Sequence, residues 1–196
     1  MNLTTTSMPG NLLGVVLCGG ESKRMGSDKG LLVKESKQWA LWVAEKLQDC
    51  GLETLVSLNT SQEVGYRIVF PDTPFVLDQA IVNGPLNGLL SVHQEYPDRD
   101  LLLMACDLID MDHDTLTNLI DVYKTSADFD FYVYRHGAFA EPFCAIYTAN
   151  GLEATMQLLV AGKLKRFSLH ERFENGKTLY LDIPRLSVFK NFNHPA

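Results

Sequence analysis

The chain has 196 residues, of which 46% are hydrophobic, and it carries a formal net charge of −7 at pH 7. This length and composition suffice for one domain with a buried core that needs no disulfide or structural metal, so we expect a single domain spanning residues 1–196. The negative charge argues against a broad surface for nucleic acid or for anionic membranes, because either partner requires an accumulated positive field.

Cysteine usage and hydropathy indicate the compartment. The four cysteines are widely spaced, with no CxxC pair, and three of them lie in apolar runs where free thiols usually pack as small hydrophobic groups. The amino terminus lacks a basic region leading into a long apolar segment, and no later stretch approaches the roughly 20 apolar residues that cross a bilayer. We therefore expect a soluble, unexported protein of the reducing cytoplasm.

Apolar strands alternate with amphipathic helices through the first two thirds of the chain. Leu12 to Cys18 is a nearly all-apolar run that stops at a glycine pair, which is typical of a strand covered on both faces. Hydrophobic periodicity predicts further strands over Thr54 to Asn59 and Asp100 to Ala105, and helices over Gln38 to Cys50, from Pro85 to Pro97 and over Asp114 to Lys124. The stretch through Pro71 and Pro74 is interpreted as irregular.

The last third of the chain is less regular. Its pattern predicts strands over Phe129 to Arg135, Pro142 to Tyr147 and Thr178 to Leu181, and a helix over Leu152 to Val160. The alternation of strands and helices predicts an α/β fold, a three-layer Rossmann-like sandwich around a mostly parallel sheet. In such folds ligands bind beyond the carboxyl ends of the strands.

The most informative segment directly follows the first predicted strand. It reads Leu17-Cys18-Gly19-Gly20-Glu21-Ser22-Lys23-Arg24-Met25-Gly26-Ser27-Asp28-Lys29. Its three glycines allow the main chain to approach a phosphate and turn its N–H groups inward, while Arg24 and Lys29 supply positive charge. The spacing matches neither the Walker A motif nor the dinucleotide fingerprint. Glycines alone would equally suit an ordinary strand-to-helix turn, but with the two cations the segment predicts a phosphate loop.

This segment resembles the loop of the GT-A-like nucleotidyltransferases, whose members include the molybdenum cofactor guanylyltransferases. Every fixed position of their pattern Leu-x-Gly-Gly-x-Ser-x-Arg-Met-Gly-x-Asp-Lys is present. The resemblance implies a fold like that of the nucleotide-diphospho-sugar transferases and a nucleoside triphosphate wrapped by the loop. It implies nucleotide contacts from Leu17, Cys18, Gly19, Gly20 and Lys29, with Lys29 and Arg24 as catalytic cations.

A second signal is the carboxylate of Asp107, which follows the apolar run Leu101 to Cys106. We expect it to point from the carboxyl end of that strand into the same crevice as the glycine-rich loop, where a carboxylate can hold Mg²⁺. A lone Asp at a strand end is more often a cap or turn former. The resemblance nevertheless extends to a Cys-Asp pair whose Asp is the metal ligand and a catalytic residue. Ile109 stands where the family usually has proline, so the loop after Asp107 is expected to differ in shape.

Three further segments resemble parts of the family's nucleotide site. Gly84-Pro85-Leu86-Asn87-Gly88 matches the Gly-Pro-Leu-x-Gly segment at the start of the helix that helps to enclose the base, which implies nucleotide contacts from Gly84, Pro85 and Leu86. Asp78 corresponds, with a one-residue gap, to the acidic residue near the base or ribose. Asn59 ends the second predicted strand, where the family has a nucleotide-contacting Asn, although Asn is also a common turn residue there.

Segments near the carboxyl terminus resemble the family's acceptor site. Asn191-Phe192-Asn193-His194-Pro195 is similar to Asn-x-Asn-Thr-Pro, so the resemblance implies acceptor contacts from Asn191 and Asn193, with His194 replacing the Thr. Glu141 to Tyr147 resembles the strand that flanks the acceptor pocket, although a core strand explains most of its side chains. Three basic residues, Lys163, Lys165 and Arg166, form either a solvated face or a site for the phosphate of a pterin acceptor.

The resemblance as a whole implies transfer of GMP from GTP to the molybdopterin (molybdenum) cofactor with Mg²⁺, releasing pyrophosphate. It also implies transient contact with cofactor-delivery proteins, and neither nucleic acid nor membrane as a partner. Two alternatives remain open from the sequence. One is a related enzyme that uses CTP or a sugar phosphate, and the other is a catalytically inactive GTP-binding subunit, suggested by Ile109, His194 and the short tail.

Overall fold

The computed structural model describes residues 11–19, 28–79 and 82–190. Four of the predicted site residues lie outside this described part, Gly20 and Arg24 of the glycine-rich segment and Asn191 and Asn193 near the carboxyl terminus, as does His194.

A seven-stranded sheet forms the middle layer of the structure. Its strands are β1 (Leu12–Leu17), β4 (Glu53–Leu58), β5 (Phe75–Leu77), β6 (Asp100–Ala105), β7 (Phe131–His136), β8 (Phe139–Tyr147) and β9 (Thr178–Asp182), and β2 (Val33–Lys34) with β3 (Lys37–Gln38) makes a separate hairpin. The order across the sheet is β5-β4-β1-β6-β8-β7-β9, and only β8 runs against its neighbours. The prediction of a mostly parallel sheet is confirmed.

Six helices cover the two faces of the sheet. They are α1 (Trp39–Asp49), α2 (Glu63–Val69), α3 (Pro85–Glu95), α4 (His113–Thr125), α5 (Ala149–Val160) and α6 (Leu169–Asn175) among the described residues, with 3-10 turns over Lys29–Leu31 and Leu186–Phe189. One core contains buried residues of α1, α2 and α4, and the other those of α3, α5 and α6. The sheet and the helices on its two faces therefore make the three layers of the structure. No helix in the described part is both long and apolar enough to span a membrane.

The first strand shows why its sequence is almost uniformly apolar. Alternate residues of β1 enter the two cores, with Leu12 and Val16 on the face of α1 and Leu13 and Val15 on the face of α3. A strand buried on both faces has no position left for polar side chains. Gly14 is the one residue of β1 without an apolar side chain, and a Cβ at this position would lie 2.9 Å from Thr54 Oγ1. Glycine therefore allows α1 and β4 to pack closely against the centre of the sheet.

The stretch through Pro71 and Pro74 was wrongly interpreted as irregular, since it contains α2 and β5. Helix α2 has seven residues and only one buried position, Tyr66, whereas Val64 and Ile68 are exposed apolar residues. This distribution gives no helical hydrophobic pattern, because the apolar residues do not mark the buried face. Strand β5 is a three-residue strand at the edge of the sheet, too short for alternation to show.

Asp112 caps the amino terminus of α4, and its side chain accepts a hydrogen bond from the Thr115 N–H at 2.8 Å. Burial acts to raise the pKa of Asp112, but the hydrogen bonds from Thr115, together with Arg185 and Lys46, outweigh burial and lower the pKa. We expect Asp112→Ala to reduce the free energy of unfolding by about 1 kcal/mol at neutral pH.

The pH dependence of this effect follows from the lowered pKa in the folded state. The stabilisation by Asp112 is present above the unfolded pKa of about 3.9 and is lost as the pH falls through the folded value. Urea unfolding at neutral and acidic pH should therefore show a difference between the unmodified and Asp112→Ala chains that shrinks in acid. Asp114→Ala, at an exposed carboxylate of the same first turn, is the control with a smaller effect. Equal effects of the two substitutions at neutral pH would contradict the capping role.

Candidate active site

The carboxyl ends of three neighbouring parallel strands meet at one edge of the sheet. Strands β4, β1 and β6 lie side by side, so the residues that follow them project from the same edge. These residues are Asn59 after β4, Cys18 and Gly19 after β1, and Cys106 and Asp107 after β6. This edge is the position at which α/β folds bind ligands.

Lys29 and Asp107 meet at the centre of this edge. The Lys29 ammonium donates a hydrogen bond to Asp107 Oδ2 at 3.0 Å, and the two side chains are 23% and 14% exposed, respectively. Lys29 opens a 3-10 turn that is capped by the carboxylate of Asp28, while Asp107 lies in the turn directly after β6. The fold thus joins a cation and a carboxylate that are 78 residues apart, both partly accessible to a ligand.

Apolar packing anchors the loop beyond Asp107. Ile109 is 5% exposed and lies in the core, as do Leu108 and Met111, and the Met111 N–H donates to the Leu108 carbonyl at 3.1 Å. The residue that replaces the family's proline therefore fixes the loop by burial of its side chain.

The carboxylate of Asp28 organises the start of the turn that carries Lys29. It accepts hydrogen bonds from the Gly30 N–H at 3.0 Å, from Tyr66 Oη at 2.8 Å and from the side-chain amide of Gln62. Gln62 Nε2 also donates to the Cys18 carbonyl at 3.0 Å. Gln62, which caps α2, and Tyr66 therefore tie Cys18 and Asp28, which precede and follow residues 20–27 in the chain, to the start of α2.

Sequence reasoning missed Gln62 and Tyr66 because they lie in the stretch that was interpreted as irregular. Their spacing of four residues places them on one face of a helix, which is the signal that a prediction of α2 would have given. Tyr66 is fully buried, and a Cβ on Gly30 would lie 2.0 Å from its hydroxyl oxygen. Glycine at position 30 is therefore what allows this hydroxyl to reach Asp28.

Asp78 lies beside Gly19 of the glycine-rich segment and in contact with Ser57. Ser57 Oγ donates to Asp78 Oδ1 at 3.4 Å, and a Cβ on Gly19 would lie 3.0 Å from Asp78 Oδ2. A Cβ on Gly88, in the first turns of α3, would lie 2.7 Å from Ser57 Oγ. Burial raises the pKa of Asp78, while hydrogen bonds from Ser57 and Asn87 act in the opposite direction. The structure thus brings Asp78 together with Gly19 and the start of α3.

The segment from Gly84 opens α3, with Gly84 at a φ of 81° and Pro85 at the first helical position. Leu86 is buried in the core below α3, and Leu17 and Cys18 are also buried. These three side chains pack inside the protein, so any contact they make with a nucleotide involves their main-chain atoms.

The N–H of Gly19 corrects one expectation about the glycine-rich segment. The N–H groups of Cys18 and Gly19 both donate to the Ser57 carbonyl, at 3.0 and 3.2 Å, which prolongs the contact of β1 with β4. The Gly19 N–H is therefore not turned toward a phosphate.

Asn59 forms a turn, because its side-chain oxygen accepts from Ser61 Oγ at 2.6 Å and its N–H donates to the side chain of Gln62.

The three basic residues of the α5–α6 loop are solvent-exposed. Lys163, Lys165 and Arg166 are all exposed, as the solvated-face interpretation expects. The loop lies near the carboxyl edge, since His170 in the first turn of α6 contacts the Ala140 carbonyl at 3.2 Å and Ala140 pairs with Arg135 near the end of β7. Both interpretations of this cluster are compatible with its position.

The residues at the edge fit a metal ion that is shared with a ligand. In the described part of the chain, no group of three or more His, Cys, Asp or Glu side chains is arranged to hold a metal ion. Mg²⁺ usually keeps several waters and binds through one or two carboxylates together with substrate phosphates. The partly accessible carboxylate of Asp107 fits this second arrangement.

Comparisons with known proteins identify relatives by sequence and by fold. The chain is 29% identical over 184 residues to the "Probable molybdenum cofactor guanylyltransferase" of Methanothermobacter thermautotrophicus, covering 92% of this chain and 93% of that protein. Its fold is similar to that of molybdopterin-guanine dinucleotide biosynthesis protein A from Archaeoglobus fulgidus, with a TM-score of 0.75 and 19% identity over 94% and 93% of the two chains. A Mycobacterium tuberculosis protein solved in complex with manganese has a TM-score of 0.59 and 15% identity over 88% of each chain.

The family itself is shown by a match over most of the chain. Residues 14–174 match the model of the MobA-like NTP transferase domain. This range includes the glycine-rich segment, Asp78, the start of α3 and Asp107. The chain therefore belongs to the family of MobA-like NTP transferase domains, which confirms the nucleotidyltransferase resemblance and the α/β nucleotidyltransferase fold expected from the sequence.

Proposed function

We propose that the chain transfers GMP from GTP to the terminal phosphate of the molybdopterin cofactor, releasing pyrophosphate and forming the guanine dinucleotide cofactor. Family membership makes the chain a nucleotidyltransferase, and the printed names of its relatives support the choice of GTP and molybdopterin. The observation that carries the proposal is the contact of Lys29 with Asp107 at the carboxyl edge. It places a cation for phosphate oxygens beside a carboxylate for a metal ion.

In the proposed reaction, a phosphate oxygen of the acceptor attacks the α-phosphorus of GTP in line, and pyrophosphate leaves. The nucleophile is already an anion, so the mechanism needs no general base. Asp107 would hold Mg²⁺, which when bound neutralises phosphate charge and orients the triphosphate. The Lys29 ammonium stabilises the negative charge of the phosphate oxygens in the transition state. Asp28, held by Gln62 and Tyr66, fixes the main chain from which Lys29 extends. Arg24 is proposed as a second catalytic cation.

The two substrates are assigned to opposite sides of Asp107. The candidate nucleotide residues, Asp78 and the Gly84 segment, lie on the side of β4, β5 and α3. The neighbour of β6 on its other side is β8. The acceptor is therefore proposed to approach from the side of β8, with Asn191 and Asn193 as further acceptor contacts.

The choice of base is tested by thermal stabilisation in the presence of Mg²⁺. A ligand that binds only the folded state raises the melting temperature in proportion to RT ln(1 + [L]/Kd). We expect GTP to stabilise the chain more than CTP, ATP or UTP at equal concentration. Greater stabilisation by CTP would support the cytidylyl alternative, and binding of GTP without pyrophosphate release would support the inactive subunit.

Tyr66→Phe is expected to reduce turnover by roughly tenfold, because it removes a hydrogen bond to a charged group and leaves the packing of the ring intact. The ring of Tyr66 packs against Phe70 and Phe75, at centroid distances of 5.6 and 6.4 Å. The matched control is Tyr123→Phe, which removes a buried hydroxyl bonded to Asp100 at the opposite end of β6. Pyrophosphate release measured at saturating GTP should fall for Tyr66→Phe and not for Tyr123→Phe. Equal turnover by both variants would remove Tyr66 from the account.

The cysteines support a cytoplasmic site of action. All four are free thiols, at Cys18, Cys50, Cys106 and Cys144. Free thiols persist in a reducing compartment. We accordingly propose that the reaction takes place in the cytoplasm, where cofactor-delivery proteins would meet the chain.

A further inference from the structure

A β-bulge lies on the acceptor side of the site, in β8. The antiparallel register of β6 and β8 pairs Met104 with Cys144, so the residues of β8 before Cys144 continue past the end of β6 toward Asp107. On the other side, the register between β7 and β8 shifts from Val133↔Ala145 to Arg135↔Ala140. Residues 141–144 of β8 therefore stand opposite Tyr134 alone. Bulges of this kind re-aim side chains and occur next to active sites.

A backbone restriction and a hydrogen bond hold the bulge in one conformation. Pro142 has a fixed φ, and it restricts the backbone of the preceding residue, Glu141, to extended conformations. The buried Tyr147 hydroxyl donates to the Pro142 carbonyl at 2.8 Å. The position of Glu141 is therefore set by the bulge before any ligand binds.

Glu141 is a half-buried carboxylate that accepts no hydrogen bond from any residue in the described part of the chain. Burial raises the pKa of the Glu141 carboxyl, while nearby His170 acts in the opposite direction. The buried side-chain atoms that lack a hydrogen-bond partner in the described part of the chain do not include either Glu141 carboxylate oxygen, so this carboxylate stays accessible to a ligand. Glu141 thus offers two acceptor oxygens on the side of Asp107 away from the glycine-rich segment.

We propose that Glu141 recognises the heterocyclic ring of the acceptor by accepting hydrogen bonds from an amino group and an adjacent ring N–H. This inference rests on the proposed function, since a pterin ring carries these two donors side by side. Two parallel N–H groups match the two oxygens of a carboxylate, as in a bidentate pair. Glu141 then selects 2-amino-4-oxo rings over rings that carry a carbonyl at the same position, because that carbonyl repels the carboxylate.

The test compares binding of pterin and of lumazine, which has a carbonyl in place of the 2-amino group. Both rings are fluorescent, so titration with the protein and GTP·Mg²⁺ gives a Kd for each. We expect the unmodified chain to prefer pterin, and Glu141→Gln to weaken pterin binding by about tenfold or more with little change for lumazine. Glu174→Gln, at an exposed carboxylate of α6, is the matched control and should bind both rings as the unmodified chain does.

Three results would overturn the inference. The first is equal binding of the two rings by the unmodified chain, and the second is unchanged pterin binding by Glu141→Gln. The third is a loss of GTP·Mg²⁺ affinity in Glu141→Gln that is as large as its loss of pterin affinity. The last result would assign Glu141 to the nucleotide or the metal. Because ring binding is measured without turnover, the result of this test does not depend on whether the chain transfers GMP. Preference for pterin that depends on Glu141, without GMP transfer, would contradict only the proposed function. GMP transfer with the same KM for molybdopterin in both chains would contradict only the role of Glu141.

Discussion

Asp107→Asn is expected to reduce GTP-dependent pyrophosphate release by at least about 10²–10³-fold, the loss typical of removing one preorganised charge-stabilising group. The substitution keeps the size of the side chain but removes the charge that faces Lys29 at 3.0 Å and that is proposed to hold a metal ion. The residual rate should respond less to the concentration of Mg²⁺ than the rate of the unmodified chain. Thermal unfolding of the variant checks that the fold is retained.

The matched control for this variant is Asp110→Asn. Asp110 lies three residues further along the same loop, and its exposed carboxylate pairs with Lys34 at 3.1 Å. An exposed pair of this kind contributes little to stability. We expect Asp110→Asn to retain the activity of the unmodified chain. Activity of Asp107→Asn within a few-fold of this control would contradict the assignment of Asp107.

Lys29→Met is expected to cause a similar loss of turnover, about 10²–10³-fold, because it removes the cation that is proposed to stabilise the phosphate oxygens. Binding of GTP should weaken less than turnover falls, since the charge of the transition state is greater at the transferred group. Separate measurement of the Kd for GTP and of kcat tests this expectation. Lys34→Met, which removes the partner of Asp110, is the control at the neighbouring ion pair.

Lys29→Arg refines the interpretation of this loss. Arginine keeps the positive charge but presents a planar, larger group that does not replace a lysine ammonium at a point contact. We expect an activity between those of Lys29→Met and the unmodified chain. Full activity of Lys29→Met with a retained fold would contradict the catalytic role of Lys29.

The meeting of Lys29 and Asp107 could be anticipated from the sequence because it follows from the sheet. Both residues come soon after nearly uniform apolar strands, and such strands pair side by side in parallel, so their carboxyl ends share one edge. The strand Asp100–Ala105 was predicted with its exact bounds, since a charged residue begins it and a Cys-Asp turn follows it. The Lys29–Asp107 contact and the bounds of β6 could be predicted because they depend on the local residue pattern and on the direction of the chain.

Other parts of the site depend on contacts that no local pattern records. Gln62 and Tyr66 reach Asp28 only because the fold brings the start of α2 to the turn that carries Lys29, and the exposed apolar residues of α2 hide its buried face. The hydrogen bond of the Gly19 N–H to Ser57 depends on how far the sheet ladder extends, and strand ends are poorly determined by sequence. The bulge at Glu141 had one signal, the proline that begins the predicted strand Pro142 to Tyr147, since proline in a sheet is confined to strand starts, edges and bulges.

The most direct measurement is pyrophosphate release by the unmodified chain from each of the four NTPs, with Mg²⁺ and purified molybdopterin cofactor. The account predicts release that is selective for GTP, requires the cofactor and is lost in Asp107→Asn. Absence of release with every NTP, despite binding of GTP, would contradict the proposed guanylyltransferase activity and would support the inactive GTP-binding subunit.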